Sequence, residues 1–137
     1  MIEAPSRQET FQALQRQVRA CFACRDMAYA HVLAPSNGPL AAAVMFIGEA
    51  PGRLGAAITG VPFTSDQAGQ RFQRLLAEAG LERGQVFLTN AVLCNPLRDG
   101  RNRPPRLREV AACSRWLQAQ IDLVDPRLVV TLGTVAL

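Results

Sequence analysis

A chain of 137 residues, 49% of them apolar, suits one domain with one core and excludes a disordered polymer. Its formal net charge is +4 and all fifteen basic residues are arginine. A nucleic-acid partner is compatible with that charge, whereas Schiff-base chemistry through a lysine amine is excluded.

No apolar run reaches the length of a membrane span, and the polar stretch Met1 to Thr10 lacks the apolar core of a signal peptide. A cytoplasmic protein is expected. Residues 7–24 read as a helix, with Phe11, Leu14, Val18 and Cys21 at helical spacing. A loop rich in Pro, Gly, Ser and Asn follows over 34–39. The short apolar run 42–48 reads as a buried parallel strand. Residues 49–65 form a long connection, a length that in compact domains accompanies function. Residues 66–80 read as a helix whose apolar face carries Phe72, Leu75, Leu76 and Ala79. Residues 85–92 read as a second strand, 95–106 as an arginine-rich loop and 107–123 as a third helix. A third strand is expected over 127–132, with another helix beginning at Gly133. Strand and helix alternate, so the class is α/β with a mostly parallel sheet. Ligands of such sheets bind beyond the carboxyl ends of the strands, here 49–52, Asn90 and Gly133.

Four cysteines in a cytoplasmic chain are not expected to form structural disulfides. Cys21 and Cys24 form a C-x2-C pair able to grip one metal centre. Cys94 follows the second strand and Cys113 lies in the third helix. The set reads as a four-thiolate site, the alternative being that Cys94 and Cys113 are buried core thiols. Thiolates suit zinc and iron–sulfur clusters alike, so spacing leaves the metal open.

Several segments, in order, are similar to the uracil-DNA glycosylase superfamily of iron–sulfur type. Gly48-Glu49-Ala50-Pro51-Gly52 resembles the first motif of family 4. Residues 52–69, with the ending Phe63-Thr64-Ser65-Asp66, look more like family 5. Thr89-Asn90 through Cys94 resembles the strand-end motif. Residues 109–113 resemble the helix bearing the last cysteine, and 126–133 the following strand and turn. The resemblance implies a three-layer α/β/α sandwich around a mostly parallel four-stranded sheet, whose last strand is expected beyond this chain. It also implies a structural 4Fe-4S cluster on Cys21, Cys24, Cys94 and Cys113. The implied activity is hydrolysis of the N-glycosidic bond of uracil, or another deaminated base, flipped out of DNA. A monomeric, monofunctional enzyme with water as nucleophile is expected.

The resemblance assigns Phe63 to stack on the base, against the reading of an ordinary core phenylalanine. Asn90 would read the uracil edge with its donor and acceptor, against the reading of a turn residue. Gly48 and Ala50 would shape the base-binding loop. Glu49 would orient the water or stabilise charge on the sugar, against a carboxylate that accepts loop N–H groups. Asp66 is the rival carboxylate, with a helix N-cap as its plain reading. Arg101 and Arg103, within the series Arg98, Arg101, Arg103, Arg106 and Arg108, are candidates for DNA phosphates, against a solvated loop. Two departures from the family stand out. Leu54-Gly55-Ala56-Ala57 carries no acid where family 4 has one, and the family's late histidine motif is absent. That motif is expected beyond Leu137, so weak or no excision is expected of these residues alone. The sole histidine, His31, reads as a surface residue. The rival readings are a non-catalytic DNA-binding member of the superfamily, a zinc-bound interaction module and a redox iron–sulfur protein.

Overall fold

The first helix, α1 (Arg7–Arg19), is started by Ser6 and Glu9, each side chain bonding the other's backbone N–H at 3.1 and 2.9 Å. Phe11, Leu14 and Val18 are its buried stripe. It stops before the expected residue 24. The Cys21 N–H reaches only to the Val18 carbonyl, which tightens the last turn, and Asp26 adopts a left-handed φ of 56°. Cys21 is therefore freed from the helix. The computed structural model describes residues 3–137; Met1 and Ile2 of the polar N-terminal stretch lie outside the described residues.

The remaining elements are β1 (Met27–Ala28), β2 (Val44–Gly48), α2 (Ala56–Thr59), α3 (Gln67–Glu78), β3 (Val86–Asn90), β4 (Asn95–Arg98), β5 (Arg101–Asn102), α4 (Leu107–Val124) and β6 (Leu128–Thr131). The expected parallel sheet is present with strand order β3-β2-β6. Its alternation divides the core. Met45, Ile47 and Phe87 face α1 and α4, joining Phe11, Leu14, Val18 and Val124. Val44, Phe46, Val86 and Leu88 face the other way, onto Phe72 and Leu76 of α3. Each fully buried apolar side chain contributes about 1.5–3 kcal/mol, and the two clusters make the α/β/α layering the stable arrangement. Three parallel strands are found among the described residues, in keeping with a sheet whose last strand is not expected within this chain.

Register places Gly48 opposite Asn90, and Ile47 opposite both Thr89 and Thr131. The three carboxyl ends thus finish at one level, which creates a crevice there.

Four details differ from the sequence reading. The long connection contains the single-turn helix α2. Leu75 is 56% exposed, because the buried stripe of α3 runs through Gly69, Phe72 and Leu76 and leaves Leu75 at its flank. The arginine-rich loop is a β-hairpin, β4–β5, turned at Asp99 (φ 52°) and Gly100 (φ 74°). Asp-Gly with two left-handed residues is the signature of a tight hairpin turn. Finally, residues 133–137 follow bends rather than a helix. Strand β1 adds to the hairpin, giving a second, antiparallel sheet of order β1-β4-β5.

Candidate active site and candidate metal centre

A cleft of about 220 Å³ opens at the carboxyl ends of β2 and β3. Gly48, Glu49, Ala50, Phe63, Asp66 and Asn90, the six residues singled out for base binding and catalysis, all line it. Asn90 ends β3 and is 3% exposed, yet its Oδ1 has no hydrogen-bond partner. A buried acceptor left unpaired costs about 1–3 kcal/mol, and this one belongs to a residue that lines the cleft. Gly48 explains how the amide and the Phe63 ring come together. A Cβ there would lie 2.6 Å from Asn90 Oδ1 and 2.7 Å from Phe63 Cζ. The glycine is absent substance, and both side chains use the space.

Phe63 sits in left-handed backbone at φ 54°, two residues before Ser65 at φ 71°. This is strained backbone for a bulky side chain, and it is held from several sides. Gln73 Nε2 donates to the Phe63 carbonyl at 2.9 Å, and the Arg83 guanidinium donates to the Pro62 carbonyl. Thr64 Oγ1 donates to the Val61 carbonyl at 2.7 Å. One face of the Phe63 ring stacks on Phe72, centroids 4.4 Å apart and 27° between planes. Phe63 is thus both a packing residue and a wall of the cleft.

Asp66 is the N-cap of α3, its Oδ1 accepting from Gly69 N–H at 2.8 Å. The plain reading of the sequence is therefore met, and it does not exhaust the residue. Oδ2 lies where a Cβ on Gly52 or Gly55 would be, 2.5 and 2.4 Å away, so both glycines make room for this second oxygen beside the cleft. Glu49 is exposed at the end of β2.

The cysteines meet on the other side of the chain segment that leaves β3. All four are unpaired and half-buried, and all line one cavity of about 30 Å³ together with Ala23, Met27, Tyr29, Val92, Glu109 and Ala112. The antiparallel pairing of β1 with β4, Met27 to Pro96 and Ala28 to Asn95, carries the C-x2-C loop alongside Cys94. The packing of α1 against α4 adds Cys113. The loop itself is clamped. The Tyr29 hydroxyl donates to the Cys24 carbonyl, and His31 Nε2 donates to the Cys21 carbonyl at 2.7 Å. The Phe22 ring meets both edge-on at 4.9 and 5.2 Å. His31 is half-buried in this clamp, not a free surface residue.

Burial pushes the Cys113 thiol up to about 12, and nearby Cys94, Cys21 and Cys24 push it the same way. Burial likewise raises Cys94 and Cys24, with Glu109 raising Cys24 further. Against the upward push of burial, hydrogen bonds from the Ala23 backbone and the Trp116 and Arg115 side chains lower Cys21. Burial and the neighbouring thiols thus disfavour the thiolate at Cys24, Cys94 and Cys113, whereas a bound metal cation would favour it. Among the described residues no group of three or more His, Cys, Asp or Glu side chains is arranged to hold a metal ion.

The arginines divide. Arg98, Arg101 and Arg108 are exposed. Arg103 is 9% exposed and its guanidinium points inward, onto Glu109 at 2.7 and 2.9 Å. The expectation that Arg103 meets DNA phosphates is overturned, because none of its donors is left to offer. Arg106 is half-buried and pairs with Asp26 at 3.5 Å.

Asn95 escaped the sequence reading. It follows Cys94, is 1% exposed, and its Nδ2 donates to the Pro51 carbonyl at 2.8 Å and to Asn102 Oδ1 at 3.1 Å. Asn102 Oδ1 also accepts from Arg53 N–H at 2.9 Å. One buried amide thereby connects the cysteine site, the 48–53 loop and the arginine hairpin. Its position directly after a cysteine was the only signal available.

Comparison with known proteins agrees with this geometry. The model of the uracil DNA glycosylase superfamily matches residues 35–137. A type-4 uracil-DNA glycosylase of Sulfurisphaera tokodaii is 37% identical over 126 residues, covering 91% of this chain and 55% of that protein. A second, of Saccharolobus solfataricus, is 41% identical over 118 residues, covering 85% of this chain and 52% of that protein. A type-5 uracil-DNA glycosylase of Thermus thermophilus is 35% identical over 116 residues, covering 75% and 51%. The chain spans about half the length of these relatives. Relatives of both types match, in keeping with a first motif like family 4 and a loop like family 5. On the match over three segments of the sheet, the cleft and the cysteine-bearing helix, the chain belongs to the uracil-DNA glycosylase superfamily.

Proposed function

We propose that the protein is a monofunctional DNA-repair glycosylase that hydrolyses the N-glycosidic bond of uracil in DNA, with water as the nucleophile. The observation that carries this reading is the buried, unpartnered Oδ1 of Asn90, facing the Phe63 ring across Gly48. An amide oxygen accepts the N3–H of uracil while the amide N–H donates to its O4. Cytosine presents an acceptor at N3, so the same oxygen rejects it by leaving two acceptors opposed. Phe63 stacks on the flipped base, with its strained backbone fixing the ring before the base arrives. Gly48 and Ala50 let the base approach the loop closely. Glu49, exposed at the rim, orients the attacking water, and Asp66 Oδ2 offers a second carboxylate oxygen from across the cleft.

The cysteines fit a 4Fe-4S cluster. Four unpaired soft thiols line one cavity, a donor set that suits an iron–sulfur cluster. Cys21, Cys24, Cys94 and Cys113 would hold it. Its contribution when bound is structural, joining the C-x2-C loop to β3 and α4. The exposed Arg98 and Arg101 of the hairpin contact DNA phosphates beside the cleft. No helix among the described residues is long and apolar enough to cross a membrane, and four unpaired thiols suit the reducing cytoplasm. The enzyme acts as a monomer.

The test is uracil release from duplex DNA by the intact protein and by its Asn90→Ala variant. Release is expected to fall strongly; near-normal turnover in the variant removes Asn90 from the mechanism.

A further inference from the structure

We infer that Arg103 is the positioning residue of the cysteine site: its guanidinium joins the three chain segments that carry the four cysteines and fixes their separation. The inference rests on the cluster reading above and adds to it a residue that binds no metal. A guanidinium has five N–H donors in a rigid fork, and here all five are used. Nε donates to the Leu97 carbonyl at 2.9 Å. Nη1 donates to the Pro104 carbonyl at 3.2 Å and to Glu109 Oε1 at 2.7 Å. Nη2 donates to the Asp26 carbonyl at 3.2 Å and to Glu109 Oε2 at 2.9 Å.

The addresses of these acceptors matter. Asp26 lies just after Cys24, Leu97 just after Cys94, and Glu109 one helical turn before Cys113. Each belongs to a different element: the C-x2-C loop, β4 and α4. No other side chain among the described residues makes hydrogen bonds to all three. Glu109 itself lines the cysteine cavity, and it accepts a further bond from Arg106 N–H at 2.7 Å. The pair is nearly closed to solvent, at 5% and 3% side-chain exposure.

Charge works in the same direction. A bare carboxylate facing four thiolates would oppose the binding of any anionic cluster. Arg103 cancels it, leaving Arg106 and Asp26, 3.5 Å apart, as a second pair further out and Arg108 exposed on α4. Partners outside the ligand shell that orient ligands are worth about 10–100-fold in metal affinity when removed. Lysine does not substitute, since an ammonium brings three donors to five acceptors.

The experiment loads the protein anaerobically with iron and sulfide and follows iron content, the visible absorption of thiolate-bound iron and its loss to a chelator. Conditions are kept where circular dichroism shows every variant folded. Arg103→Met is expected to lose iron about 10–100-fold faster than wild type, and Arg103→Lys to fall between the two. Glu109→Gln keeps the side chain's size but turns one acceptor of the guanidinium fork into a donor, and it carries the test if Arg103→Met does not fold; about tenfold faster loss is expected. Arg103→Lys indistinguishable from wild type overturns the inference, because charge alone then suffices. Folded Arg103→Met with wild-type iron retention overturns it as well. A wild-type chain that takes up no iron overturns the cluster reading, and this inference with it.

Discussion

The cleft and the cysteine cavity flank one short stretch of chain, Asn90 to Cys94, and obey opposite rules. Around the cleft, polar atoms are left free: Asn90 Oδ1 is unpaired, Glu49 is exposed, Asp66 Oδ2 faces empty glycine positions, and Phe63 is held in strained backbone. Around the cysteines the groups that brace the cysteine-bearing segments are largely committed, Asn95 Oδ1 and Trp116 Nε1 being the exceptions. Arg103 uses five donors, Glu109 accepts three bonds, and Tyr29 and His31 each take a cysteine-loop carbonyl. An unpaired polar atom that lines a cleft is available to a ligand, whereas satisfied groups define a shape. Under the proposed function, recognition lies on one side of β3 and anchoring on the other, with Asn95 the bond between them.

The largest expected effect crosses that boundary. Cys94→Ser is expected to abolish cluster retention and to depress uracil release too, because Asn95 beside it holds Pro51; iron analysis and a release assay on one preparation check both. Asn90→Ala is expected to separate the two sites, lowering uracil release about 100–1000-fold with iron content unchanged. Loss of iron in that variant would show that the sites are not independent. Asn95→Ala sharpens the link. It removes two buried hydrogen bonds, with an expected loss of about 1–3 kcal/mol in chemical denaturation and a smaller fall in turnover than Asn90→Ala.

Two smaller effects concern charge. Arg101→Ala is expected to weaken binding to all DNA sequences alike and to reduce the salt dependence of binding by about one unit of slope. The Arg103 variants, turned inward, are expected to leave that slope unchanged. Glu109 provides the pH test. The hydrogen bond from Arg103 holds its carboxyl below the ordinary value of 4.5. A depressed carboxyl stabilises the fold above its unfolded value, and that stability is lost as pH falls through the folded one. Below about pH 4.5 the wild type is therefore expected to lose stability that Glu109→Gln does not have to lose. Parallel acid unfolding curves for the two would contradict the pairing.

The layers were legible because their signals are local: Phe11, Leu14 and Val18 repeat at helical spacing, and Val44 to Gly48 is a continuous apolar strand. The cleft was legible because its residues sit in motifs at strand ends. The hairpin was hidden by its arginines, although Asp99-Gly100 carried the turn in plain sight. Leu75 was misplaced because a stripe's flank depends on what packs against it. The inward turn of Arg103 was not readable at all. Its partner Asp26 comes from a distant segment, and nothing in a local pattern separates an arginine facing solvent, such as Arg101, from one facing Glu109. Asn95 is a similar case, since its acceptor Pro51 lies across the fold.

The central claim is that the free amide of Asn90 selects uracil. Nuclear magnetic resonance titration of the iron-loaded protein with free uracil and with free cytosine, following the Asn90 side-chain amide and the Phe63 ring, tests it without requiring turnover. Uracil is expected to shift both sets of signals while cytosine leaves the amide unmoved. Equal responses to the two bases, or uracil binding with the Asn90 amide unshifted, would contradict the account.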